Sequence, residues 1–147
     1  MERRGEMRAI FLMIALTATF APAYAEQEVS LFNSSGEAVA YVGVDDDLTI
    51  YLWEGKPVAY LVPINDTEFN VFSFEGTHLG WFVSGLLRDH EGNAVCAVKG
   101  AISMTSLEGL KGLKELKPLK RLKELTPLRP LFSSTWSRVP CEELLQQ

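Results

Sequence analysis

Positive charge is almost missing from the middle of this sequence. Between Glu26 and Thr105 only Lys56, Arg88 and Lys99 oppose twelve acids, a net of −9. Nucleic-acid binding is driven by neutralising phosphates, so a body of this sign excludes nucleic acid as the natural partner. Metal-ligating and nucleophilic residues are equally scarce: the chain has two cysteines and two histidines, with no ligand-like spacing between them. Asp45-Asp46-Asp47 lacks the alternation and glycine of a calcium loop and is read as a polar connection. No nucleophile elbow, phosphate-cradling glycine loop or Ser/His/Asp arrangement can be found. The expectation is therefore a protein without a cofactor and without enzymatic activity.

Long apolar runs are missing too. The longest, Ala9 to Phe20, falls well short of the roughly twenty residues that a membrane-spanning helix needs. It follows Arg3, Arg4 and Arg8 and precedes Ala23-Tyr24-Ala25, which places small residues where a signal peptidase requires them. This is the pattern of a cleavable leader, 1–25, cut between Ala25 and Glu26. A secreted or periplasmic location follows as an expectation.

Residues 26–105 carry a repeat. Leu31–Val42, Tyr51–Leu61, Phe72–Phe82 and Leu86–Val98 each have an apolar arm, a polar turn and a second apolar arm. The turns centre on Gly36, Gly55, Gly76 and Gly92, residues able to take the positive φ that tight hairpins demand. The arms are rich in Val, Tyr, Phe and Trp, which suit a pleated, partly buried surface. The prediction is all-β: four hairpins, eight short strands. Strict alternation in the second arms would set Val39 and Tyr41, Val58 and Tyr60, Leu79 and Trp81, and Val95 and Ala97 on one face. The other face would carry four matched small positions, Ala40, Ala59, Gly80 and Cys96, each followed by a larger residue two places on. Small residues in a fixed slot suggest hairpins converging on a shared centre, in a closed or radial arrangement. A plain meander packed against the tail is the alternative. The hairpin aromatics (Phe32, Trp53, Phe74 and Trp81 with the tyrosines) suit core packing first and a binding pocket second.

Thr49-Ile50-Tyr51-Leu52-Trp53-Glu54-Gly55-Lys56-Pro57-Val58-Ala59-Tyr60-Leu61 resembles the 4-fold beta flower proteins. So do Phe74-Glu75-Gly76-Thr77-His78-Leu79-Gly80-Trp81-Phe82 and Ser134-Thr135-Trp136-Ser137 followed by Glu142-Glu143-Leu144-Leu145. The resemblance implies a bacterial protein with hairpins set like petals about an approximate fourfold axis, as a small closed or flower-like barrel. It brings no catalytic residue. Cys96 departs from it, standing where relatives look like glycine, and so does Cys141, which replaces an apolar residue.

The remainder divides into a Leu/Lys tripeptide tail, 106–132, and a C-terminal docking segment, 133–147. Nine leucines, from Leu107 to Leu131, recur every third residue, and the segment from Ser106 to the end is +3. On an α-helix a step of three rotates the leucines steadily around the axis, whereas on polyproline II all nine share one stripe. Pro118, Pro127 and Pro130 exclude one long helix. Thr105-Ser106-Leu107-Glu108 nonetheless reads as a helix-capping box, so short helices remain the alternative. Tripeptide tails in the resembled family point to extended structure. Nine leucines left in water are costly, so the stripe should either cover the acidic hairpin domain or meet a partner.

Cys96 and Cys141 are the only thiols of a chain read as exported, and a disulfide between them would pin the C-terminal segment to the fourth hairpin. His78 and His90 are read as solvated turn residues. The functional expectation is a structural or interaction role in the cell envelope. The alternative is a binding module whose basic tail or aromatic pocket contacts an anionic membrane surface or an envelope protein.

Overall fold

The computed structural model describes residues 26–147; the leader, 1–25, and the cut after Ala25 lie outside the described residues. Eight strands follow one another in chain order: β1 (Glu28–Phe32), β2 (Ala38–Gly43), β3 (Thr49–Leu52), β4 (Pro57–Pro63), β5 (Glu68–Ser73), β6 (His78–Val83), β7 (Leu86–Arg88) and β8 (Ala94–Val98). Each pairs antiparallel with the next, and β8 returns to β1, giving a closed barrel. Closure leaves no sheet edge unpaired, which settles the choice between barrel and meander.

Every petal is built the same way. The carbonyls of Asn33, Leu52, Ser73 and Asp89 accept from the N–H groups of Gly36, Gly55, Gly76 and Gly92. Each of those four residues also donates its own N–H to the carbonyl four places on. The glycines have φ of 79°, 104°, 92° and 84°, the left-handed residue that closes such a turn. In two of the turns Asn33 and Asp89 also accept, through their side-chain oxygens, from the N–H groups two and four residues ahead.

Inside the barrel, a large residue of each first arm faces a small one of the second: Leu31 with Ala40, Ile50 with Ala59, Val71 with Gly80, Leu87 with Cys96. All four small positions are buried. Strict alternation fails one residue earlier. Each petal's ladder slips once, passing over Val39, Val58, Leu79 and Val95. A bulge sets two residues against one, so these four join Ala40, Ala59 and Cys96 in the inner core. They do not share a face with Tyr41, Tyr60 and Trp81. The bulge recurs in all four petals.

A short helix, α1 (Cys141–Leu145), closes one end of the barrel. Cys141, Leu144 and Leu145 belong to the inner core. Leu145 shares a cleft with Lys56, Val58 and Phe74, and Cys141 one with Asn33 and Val95, which places α1 at the end carrying the glycine turns. A disulfide joins Cys141 to Cys96 of β8, with 5.5 Å between their Cα atoms. Among the described residues no helix is long and apolar enough to cross a membrane. The bond closes a loop with a sequence separation of 45. Replacing both cysteines by alanine is expected to lower the unfolding free energy by about 2–4 kcal/mol, measured by urea denaturation; an unchanged midpoint would contradict this.

Candidate functional site

The aromatic side chains expected in the core form a second layer on the outside of the barrel. They gather where one petal meets the next. Tyr41 of β2 stacks on Tyr51 of β3, with ring centroids 5.3 Å apart, and Trp53 stands edge-on to Tyr41. Tyr60 of β4 packs on Phe72 and Phe74. Trp81 of β6 meets Phe132 from the tail. Tyr41, Tyr51, Tyr60, Phe72, Phe74 and Trp81 are buried and Trp53 half-buried, with the tail lying over them.

Residues 108–132 contain neither helix nor strand, so the extended alternative holds. The tail is a belt. It starts beside the first petal, where Leu107 exchanges backbone hydrogen bonds with Gly36 and Ala38. It then passes the others in order. Gly112 and Glu115 donate their N–H groups to the carbonyls of Trp53 and Gly55, Arg121 and Glu124 to those of Phe74 and Gly76, and Ser133 to that of Gly92. The donors recur at nine-residue intervals, three tripeptides to a petal. A glycine's missing Cβ has a second use here: on Gly76 it would run into the Leu122 carbonyl, and on Gly55 into that of Leu113.

The cations of the belt point at the barrel. Lys111 lies 4.6 Å from the Tyr41 ring centre and 4.9 Å from that of Trp53, Lys114 5.2 Å from Tyr51, Lys120 4.3 Å from Tyr60, and Lys123 6.0 Å from Phe72. The ends of four belt cations reach carboxylates on the far rim. Lys111 pairs with Glu28 at 2.6 Å, Lys114 with Glu26 and Glu28, Lys117 with Asp46 at 2.5 Å, and Arg129 with Glu68 at 2.8 Å. Partial burial alone would raise the Glu28 carboxyl, but hydrogen bonds from Lys111 and Lys114 outweigh it and hold it below the usual range. Asp46 is held low chiefly by Lys117 and then by the Tyr51 hydroxyl, which donates to it.

The leucines point the other way. Leu110 to Leu131 are 91–99 % exposed, and Leu107 is 62 % exposed. The expectation that the stripe covers the hairpin domain is therefore corrected. In a threefold winding the three stripes divide the work: lysine faces the barrel, the next residue supplies backbone N–H groups, and leucine is left outside.

A family model described as 4-fold beta flower protein matches residues 29–145. The chain belongs to the 4-fold beta flower proteins. No curated protein and no solved structure matches it.

Of the two histidines of this beta flower, His90 is an exposed turn residue as expected, but His78 is not. His78 is fully buried, its Nδ1 is 2.9 Å from His90 Nε2, and its Nε2 is 3.1 Å from Asn70 Oδ1. Phe72 and Trp81 stand edge-on to its ring, and its backbone N–H donates to Glu124 of the belt at 2.6 Å. The turn spacing hid this because the bulge at Leu79 rotates His78 onto the outer aromatic layer. Below the fourth turn lies an open cleft of about 560 Å³ lined by Asp89, His90, Trp136, Arg138 and Gln147 among others. Asp89 there is spent on the turn, accepting from Glu91 and Asn93. Among the described residues no group of three or more His, Cys, Asp or Glu is placed to hold a metal ion.

Burial first, and then neighbouring His90, lower the His78 pKa from 6.5 to about 4, with Glu124 opposing weakly. A depressed folded-state value means that its stabilising contribution is complete above about pH 6.5 and is lost as pH falls towards 4. The thermal midpoint is expected to drop across that window, and His78→Gln is expected to flatten the drop; an equal slope in both proteins refutes this assignment. Gly76→Ala is expected to destabilise by about 1–2 kcal/mol from the left-handed backbone alone. It is also expected to make the belt near Leu122 more quickly cut by protease than in wild type; equal cutting of both proteins tells against the close approach.

Proposed function

We propose that this beta flower is an exported, non-enzymatic display module of the cell envelope, presenting the leucine row of its belt for interaction. One observation carries the reading: nine leucines at a strict interval lie on the stripe that faces away from the barrel. Any polar residue would serve the fold equally well at Leu110 to Leu131, so the fold does not account for them. Exposed apolar surface arranged contiguously, unlike scattered single residues, marks interaction sites. The leader pattern and the Cys96–Cys141 disulfide support an oxidising compartment outside the cytoplasm.

The belt's cations do not favour an anionic membrane as the target. Lys111, Lys114, Lys117 and Arg129 are engaged by carboxylates of the same molecule, and residues 26–147 are net negative. Nor does the pair His78–His90 favour catalysis, since His78 is fully buried with both ring nitrogens engaged, by His90 and Asn70.

The reading is tested in cells by placing a photoreactive residue at Leu119, with a second version at exposed Lys99 as control. The expected result is an envelope-fraction protein beginning at Glu26 with cross-linked adducts from position 119 and not from 99. Retention of residues 1–25 in a cytoplasmic protein, or identical adducts from both positions, overturns it.

A further inference from the structure

Resting on that display reading, we propose that the partner of the leucine row is the leucine row of a second copy, and that such contacts join beta flowers into open assemblies. The first argument is spacing. Three residues at about 3.1 Å each put successive leucines about 9 Å apart. Apolar groups in contact lie about 4–4.5 Å apart, so each gap admits one further aliphatic side chain. A partner must therefore carry apolar groups at the same interval, and the belt itself carries it. Two straight stretches of such rows, running antiparallel about a twofold axis, intercalate, each copy giving and receiving the same contact.

Charge fits the same partner. Lys114 and Lys117, beside the row, are already paired with Glu26, Glu28 and Asp46 on their own barrel, and Lys120 and Lys123 lie over the Tyr60 and Phe72 rings, so these cations are turned away from a joint between rows. Neighbouring copies are both net negative, but their repulsion is screened within about 8 Å at physiological salt.

Area decides the kind of assembly. Covering a leucine removes about 60–120 Å² of apolar surface from water. The belt bends from petal to petal with nine residues for each, so a straight stretch offers three leucines, about 180–360 Å² per copy. That is well below the roughly 800 Å² per partner of a stable pair. One stretch alone gives a weak contact. Stretches on successive petals face different directions, so each reaches a different neighbour, and the result is weak, multivalent and open-ended.

The test is sedimentation velocity of the mature, oxidised protein from about 1 µM to about 1 mM, the span in which weak contacts dissociate. The expected result is an average sedimentation coefficient that climbs steadily with concentration. The variant Leu113→Gln/Leu122→Gln/Leu128→Gln is expected to stay monomeric, with unchanged circular dichroism and thermal midpoint, because these side chains are 92–97 % exposed. A wild type monomeric throughout, or a variant that associates equally, overturns the proposal. So does a wild type that stays monomeric but floats with phosphatidylcholine vesicles when the variant does not, which reassigns the row to lipid. Adducts from position 119 in cells alongside a monomeric wild type remove only the second copy as partner and leave the display reading standing.

Discussion

The approach of one backbone to another at the glycine turns is the constraint on which the molecule depends. A belt residue can donate its N–H to the carbonyl of Gly55 or Gly76 only because no Cβ stands between the two chains. Each turn glycine thus meets two demands, left-handed φ within the hairpin and a flat place for the belt. The belt in turn needs these bonds. An extended chain with three residues to a turn satisfies none of its own backbone groups internally. It is held by what the petals offer at their rims.

Charge division follows from that arrangement. The barrel places its carboxylates on the rim opposite the glycine turns, at Glu28, Asp46 and Glu68. Lys111, Lys117 and Arg129 run down the outer wall to reach them. Belt ammonium groups, those of Lys120 and Lys123 included, lie over Tyr41, Tyr51, Tyr60 and Phe72. Exposed ion pairs are each worth about 0–1 kcal/mol and exposed cation–π contacts about 0.5–1 kcal/mol. Repetition over successive petals, with a disulfide holding the far end, makes a persistent strap from weak contacts. Wrapped in this way, the outer aromatics are removed from water without a second sheet.

The petals were legible in the sequence because glycine spacing and arm composition report local backbone needs. The four small slots were legible for a similar reason: Leu31, Ile50, Val71 and Leu87 each require a small residue opposite. Alternation misled at Val39, Val58, Leu79 and Val95, since a bulge is a property of two paired strands and neither strand alone displays it. His78 was misread through the same slip. In the tail, period three told which residues share a stripe but not which stripe faces the barrel. The missed indication was a longer period. Glu115 and Glu124, Pro118 and Pro127, and Lys111, Lys120 and Arg129 all recur at nine, which is the spacing of the petals along the belt.

Nine is also the interval that keeps the leucines outside. Three whole turns of a threefold winding return every stripe to its starting direction, so each petal meets the belt with the same face. An interval of eight would turn the belt by a third of a revolution from one petal to the next and bring leucine round to the side that faces the barrel. The first step shows the effect. From Leu107 at Gly36 to Glu115 at Gly55 the interval is eight, and a leucine supplies the backbone donor there instead of the residue two places after one. Leu107 is correspondingly the least exposed of the nine, at 62 %. From Gly55 onward the interval is nine, and every later leucine stands above 90 % exposure. The outward row is thus a consequence of commensurate repeats: fourfold in the barrel, threefold in the belt, and nine residues to reconcile them.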